Sequence, residues 1–120
     1  MSPIVSILIP CYNGEPWIRQ CIQSALDQTY PHKEVVVIDD GSTDRTLSIV
    51  RGFGHFIRFE SGPNCGVNVV RNRLVALSEG DWLSFLDADD YLFPTKIERQ
   101  IAAVKNEPDL DCIYSPLLDS

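Results

Sequence analysis

No apolar run in this 120-residue chain approaches the roughly 18 residues needed to cross a bilayer, so no membrane-inserting helix is expected in it. Clusters of Lys or Arg are also missing. Ten basic residues against seventeen acidic ones leave a formal net charge of −7, which argues against non-specific nucleic-acid binding. The four cysteines, Cys11, Cys21, Cys65 and Cys112, form no CxxC pair. A zinc site is therefore not expected, and reduced, packed thiols in a cytosolic protein are. The two histidines, His32 and His55, fall in expected loops without a partner at ligand spacing, and neither is given a role. The opening MSPIVSILIPC lacks a basic n-region and is interrupted by proline, so a signal peptide is not expected. A cytoplasmic location follows as an expectation, compatible with a parent protein held at the inner face of a membrane.

What is present suits one small soluble domain: 44% hydrophobic and 22% charged residues suffice for a buried core. Short apolar runs alternate with helical stripes. Strands are expected at residues 5–9, stopped by Pro10, and at 34–38, 56–59, 82–86 and 111–115. Helices are expected from residue 16 to about 28, 66 to about 78 (closed by Gly80) and 95 to about 106. In the first, Trp17, Ile18, Cys21, Ile22, Ala25 and Leu26 form the apolar stripe. Another helix starts after residues 41–44, with Ser42 or Thr43 as cap and Asp44 complementing the dipole. The fold class is α/β, a Rossmann-like and mainly parallel sheet flanked by helices. In such sheets ligands bind beyond the carboxyl ends of the strands. The segments PCYN (10–13), DDG (39–41) and DADD (87–90) all fall at such ends and point to one shared site.

Asp87 and Asp89 are two apart after an apolar strand, which on an extended chain puts both carboxylates on one side. Close carboxylates repel, and a hard divalent cation with oxygen ligands resolves the conflict. The same cation would let an acidic protein accept an anionic diphosphate. Asp90 is expected to point the other way and brace the next segment. Neighbours Asp39 and Asp40 alternate, so at most one reaches a ligand, where a carboxylate can accept a base N–H. Tyr12 could stack on a base. Arg71, early in a helix, could meet a phosphate. Taken singly, each also has an ordinary reading as an acidic turn, a partly buried tyrosine or a solvent-facing arginine.

Together the stretches VSILIPCYNGEPWIRQCIQSALDQTYPHKEVVVIDDGSTDRT, GVNVVRNRLVALSEGDWLSFLDADD and Pro94 resemble the family 2 glycosyltransferases of the GT-A fold, over nearly the whole chain up to Lys96. The resemblance implies inverting transfer of a sugar from a nucleotide-diphosphate donor, a UDP-sugar above all, to a hydroxyl of a saccharide or lipid-linked acceptor. It assigns Pro10, Tyr12, Asp40, Arg71 and Asp87 to the nucleotide-sugar, and Asp87 and Asp89 to Mg2+ or Mn2+. The family's acceptor half and catalytic base are expected beyond Ser120. Residues 1–120 then form a single nucleotide-sugar-binding domain that transfers nothing alone.

Two other classes share some of these features. A receiver domain of two-component signalling also sets an acidic pair and a phosphorylated aspartate after strands, as VVVIDD (35–40) and LDAD (86–89) mimic. Here an additional strand and helix precede the pair, and Lys33, Lys96 and Lys105 do not supply the lysine such domains need after their last strand. A non-catalytic nucleotide-binding module is the other alternative, disfavoured by the intact DxD segment.

Overall fold

Four strands and four helices alternate along residues 3–105, the part of the chain that the computed structural model describes. The order is β1 (Val5–Cys11), α1 (Ile18–Leu26), β2 (Lys33–Asp39), α2 (Thr46–Arg51), β3 (Arg58–Ser61), α3 (Val67–Leu77), β4 (Trp82–Phe85) and α4 (Lys96–Lys105), with a 3-10 turn at Gly54–Phe56. All pairings are parallel, and the sheet order is β3-β2-β1-β4. Apolar, mostly β-branched residues on both faces of β1 and β2 suit strands sandwiched between helices. On one face Val5, Ile7, Ile9, Val35 and Val37 join Ile18, Ile22, Val50, Ile97 and Ile101 in the main core. On the other, Leu8, Val36 and Ile38 pack on Val70 and Leu74 of α3. Each fully buried aliphatic side chain contributes about 1.5–3 kcal/mol relative to exposure, so the inner strands anchor everything attached to their ends.

The chain winds outward from β1 through β2 to β3, and α3 then carries it back over the opposite face to β4, on the far side of β1. Strand order reverses at the β1/β4 boundary, where a crevice opens above the carboxyl ends. Gly80 makes that return fit. A Cβ there would lie 2.8 Å from both the Ile4 carbonyl oxygen and the Ser6 nitrogen, and would also strike Ser6 Oγ.

Several boundaries differ from the sequence reading. β1 continues through Pro10 to Cys11. The Leu86 N–H donates to the Leu8 carbonyl and pairing with β4 ends at Leu8 and Phe85, so the missing N–H of Pro10 faces a side where the ladder has stopped. β3 begins two residues later than expected because the 3-10 turn takes up residue 56. α1 is shorter at both ends, and Trp17 is half exposed rather than part of the buried stripe. α3 ends before Ser78, ahead of Gly80. The expected strand at 111–115 lies outside the described residues, as does Cys112. Among the described residues no helix is long and apolar enough to cross a membrane.

Candidate functional site

The tips of β1 and β2 are laced together by reciprocal bonds. Asn13 N–H donates to Ser42 Oγ at 2.8 Å, and Thr43 N–H returns to Asn13 Oδ1 at 2.8 Å. Glu15 N–H reaches Asp44 Oδ2 at 3.3 Å, while Arg45 N–H reaches Glu15 Oε1 at 3.1 Å. Asn13 adopts φ 49°, a left-handed conformation that asparagine tolerates. This lacing fixes the turn carrying Tyr12, a residue that is 51% exposed. Ser42 and Thr43 are thus spent between strands rather than on capping. The start of α2 is held by Asp44, whose Oδ1 accepts the Thr46 N–H at 2.9 Å. Hydrogen bonding from Thr46 lowers the Asp44 pKa.

Asp39 and Asp40 diverge, as strand alternation requires. Asp39 is buried and accepts from the Ser42 hydroxyl and, at 3.2 Å, from its N–H. Asp40 lines a cleft at the β1/β4 boundary and accepts the N–H groups of Cys65 at 2.8 Å and Gly66 at 3.1 Å. Gly66 sits at φ +97°, a conformation only glycine takes freely, and this sets the N-terminus of α3 on that carboxylate. Cys11, beside Asp39, has its thiol pushed up to about 12, by desolvation first and then by the charge and hydrogen bond of Asp39.

Beyond β4 the chain does not stay extended. The Asp90 N–H donates to the Asp87 carbonyl at 2.9 Å, closing a turn. One carboxylate oxygen from each of Asp87, Asp89 and Asp90 lies within 4.8 Å of the others. The expectation that Asp90 points away is therefore corrected: the turn replaces strand alternation and gathers all three. The set is hard oxygen with no thiolate or imidazole, the donor chemistry of Mg2+ or Mn2+ rather than of softer metals. Cys21 Sγ donates to the Asp87 carbonyl at 3.4 Å and ties the turn to α1.

Arg71 reaches the same place from α3. Its Nη2 lies 3.6 Å from Asp87 Oδ1, and its guanidinium sits 5.6 Å from the centroid of the Phe85 ring. The Arg71 Nε is buried without a hydrogen-bond partner.

A cleft of about 110 Å3 brings together Pro10 and Cys11 of β1 with Tyr12 after it, Asp40 just past β2, Val67 and Val70 from α3, and Asp87 past the end of β4. It is smaller than the roughly 300–1,000 Å3 of sites that enclose a whole drug-sized ligand, so it would take one part of an extended molecule. Four of the residues singled out in the sequence, Pro10, Tyr12, Asp40 and Asp87, line it. Arg71 joins through Asp87, and Asp89 through the acidic cluster. The Asn64–Gly66 loop, Val67 and Val70 were missed, because the contacts that matter come from residues about 25 positions away from Asp40. The GVNVVRN stretch was the only local signal for them.

Comparison with known proteins identifies the family and the fold. The model for glycosyl transferase family 2 matches residues 6–117. A chondroitin synthase of Pasteurella multocida (strain Pm70) is 38% identical over 116 residues, covering 94% of this chain and 12% of the synthase. The crystal structure of S. aureus TarS superimposes with a TM-score of 0.80 at 31% identity, covering 88% of this chain and 20% of TarS. Residues 1–349 of TarS were also crystallised with UDP-GlcNAc. The mannosyltransferase PcManGT from Pyrobaculum calidifontis, in complex with GDP-Man and Mn2+, gives a TM-score of 0.71 at 28% identity over 88% of this chain and 32% of its own. The chain thus spans well under half the length of each, and its parallel sheet flanked by helices is that of the GT-A transferases.

Proposed function

The chain belongs to glycosyl transferase family 2, and from that premise we propose that it is the donor-binding portion of an inverting transferase that uses a UDP-sugar and a divalent cation. One observation carries the reading: the tips of β1, β2 and β4 meet in one cleft, with Tyr12, Asp40 and Asp87 on its walls. In this proposal Tyr12 packs on the base beside Pro10, and Asp40 reads the base edge. Arg71, close to Asp87 and already holding a buried Nε without a partner, meets the donor phosphates. Asp87, Asp89 and Asp90 would hold Mg2+ or Mn2+. When bound, the ion offsets the negative charge that grows on the leaving diphosphate.

UDP is preferred to other nucleotides on the strength of TarS, crystallised with UDP-GlcNAc, although PcManGT was crystallised with GDP-Man. The acceptor is proposed to be a hydroxyl of a saccharide or lipid-linked saccharide. The base that deprotonates it is proposed to lie outside residues 1–120, so that this chain binds donor without turnover. A cytoplasmic site remains part of the proposal, in keeping with the free thiols of Cys11, Cys21 and Cys65. The family assignment takes the place of the receiver-domain alternative.

A thermal-unfolding panel with UDP, GDP, dTDP and CDP, each with and without Mn2+, tests the reading. A ligand at a hundredfold its Kd stabilises the native state by about 2.7 kcal/mol. UDP should raise the melting temperature more with Mn2+ than without. If all four nucleotides leave the midpoint unchanged in both conditions, the proposal fails.

A further inference from the structure

The hydrogen-bonding capacity of the Asp40 carboxylate is fully used. Oδ1 accepts the Cys65 N–H at 2.8 Å and the Cys65 thiol at 3.4 Å. Oδ2 accepts the Gly66 N–H at 3.1 Å and the Asn64 side-chain amide at 3.3 Å. An ionised carboxylate has about four lone-pair positions, and these four donors fill them. Asp40 is nonetheless a wall of the cleft, with 7% of its surface exposed. A base N–H can be accepted there only if one donor leaves.

The four donors are not equally removable. Two are backbone N–H groups at the start of α3, and withdrawing them would move the helix. The Asn64 amide is anchored twice, since it also donates to the Asp40 backbone carbonyl at 3.1 Å. The thiol is different: it is a weak donor on an exposed side chain, held to Asp40 by one long bond. Rotation about χ1 removes it without disturbing the backbone. Cys65 lines a second cavity of about 230 Å3, which shares Asp40 and Val70 with the cleft, so open space adjoins its side chain. Desolvation first, then the hydrogen bond and charge of Asp40, push the Cys65 thiol upward, which keeps it protonated as a donor.

We infer that Cys65 is a specificity-determining residue for the nucleobase: its thiol occupies the acceptor position on Asp40 Oδ1 that the imide N–H of a uracil-type base takes over when the thiol rotates away. The inference rests on the donor reading above. A base with an imide N–H repays the lost thiol bond with a stronger one. Cytosine offers an acceptor at that ring position, repays nothing, and leaves a desolvated carboxylate facing a lone pair.

The test is titration calorimetry of the 120-residue chain and its Cys65→Ala and Cys65→Ser variants with UDP and with CDP, in Mn2+, alongside thermal melts of each free protein. Alanine removes the competing donor, and UDP should bind roughly threefold to tenfold more tightly, the effect of one modest hydrogen bond. Serine supplies a stronger donor than the thiol, and UDP should bind severalfold more weakly than to wild type. CDP should bind weakly to all three without that order. Equal UDP affinity across wild type and two folded variants overturns the inference while leaving the donor reading intact. Failure of the wild-type chain to bind UDP at all sinks the donor reading, and the inference with it.

Discussion

Arg71 and Asp87 face each other across the cleft mouth, with Nη2 and Oδ1 3.6 Å apart. Their side chains are 40% and 59% exposed, and an ion pair that open contributes about 0–1 kcal/mol to stability. The pair is therefore poorly explained as a structural strut, whereas a phosphate arriving beside Asp87 would find the guanidinium already placed. Arg71→Ala should shift the thermal midpoint little. Its UDP affinity should fall about ten- to a hundredfold, the loss expected for hydrogen bonds to a charged partner. A calorimetric titration checks this, and unchanged UDP affinity removes Arg71 from the site.

Asp89 offers a second separation of binding from folding. It is exposed, and the residues that hold it near Asp87 and Asp90 are the turn's own backbone. Asp89→Ala should leave the metal-free melting temperature nearly unchanged, since exposed substitutions usually stay within about 0.5 kcal/mol. The additional stabilisation that Mn2+ gives in the presence of UDP should disappear. If the Mn2+ increment survives in Asp89→Ala and in Asp90→Ala alike, the acidic cluster is not the cation site.

Gly80 bears on the fold rather than on ligand. A Cβ placed there meets the backbone of residues 4 and 6 at 2.8 Å, and backbone cannot turn aside as a side chain can. Gly80→Ala should therefore cost about 1–3 kcal/mol, as overpacking does. Urea unfolding followed by circular dichroism reads the loss directly. A variant as stable as wild type would mean that β4 can move away from β1 at no cost.

The order of elements and the convergence of the three strand ends on one cleft were legible because their signals are local. The runs at 5–9, 34–38 and 82–86 are apolar and β-branched or aromatic, and the acidic and aromatic residues sit directly after them. What was not legible depends on contacts between distant residues or on a turn. Asp90 was misread because alternation was carried past the end of β4, into a turn closed by its own N–H on the Asp87 carbonyl. Ser42 and Thr43 look like helix caps in isolation, yet Asn13, about 30 residues earlier, claims them. Trp17 fits the spacing of the α1 stripe but precedes the helix, so the stripe does not reach it. Beyond the GVNVVRN stretch that begins at Gly66, nothing local announces that residues 64–66 close over Asp40.

The buried thiols predict an alkaline limit to stability. Desolvation and then the neighbouring Asp39 push Cys11 from 9.0 to about 12, and Cys21 moves the same way, with desolvation as its largest cause. A thiol whose folded pKa lies above its unfolded value keeps its proton in the native state after the unfolded chain has lost it. Between pH 9 and about 12 the unfolded state therefore binds fewer protons, and stability falls as pH rises. The contribution is fully present below pH 9 and is lost as pH climbs through the folded value. Lysines and tyrosines titrate in the same range, so the comparison must be with a variant that lacks the thiol. Cys11→Ala should lose stability at pH 7, because it removes a buried sulfur, and should then decline less steeply than wild type from pH 9 upward. Urea midpoints collected across that range measure both curves. Parallel slopes would show that the Cys11 thiol ionises as readily in the folded protein as in the unfolded chain, against the environment that β1 and Asp39 build around it.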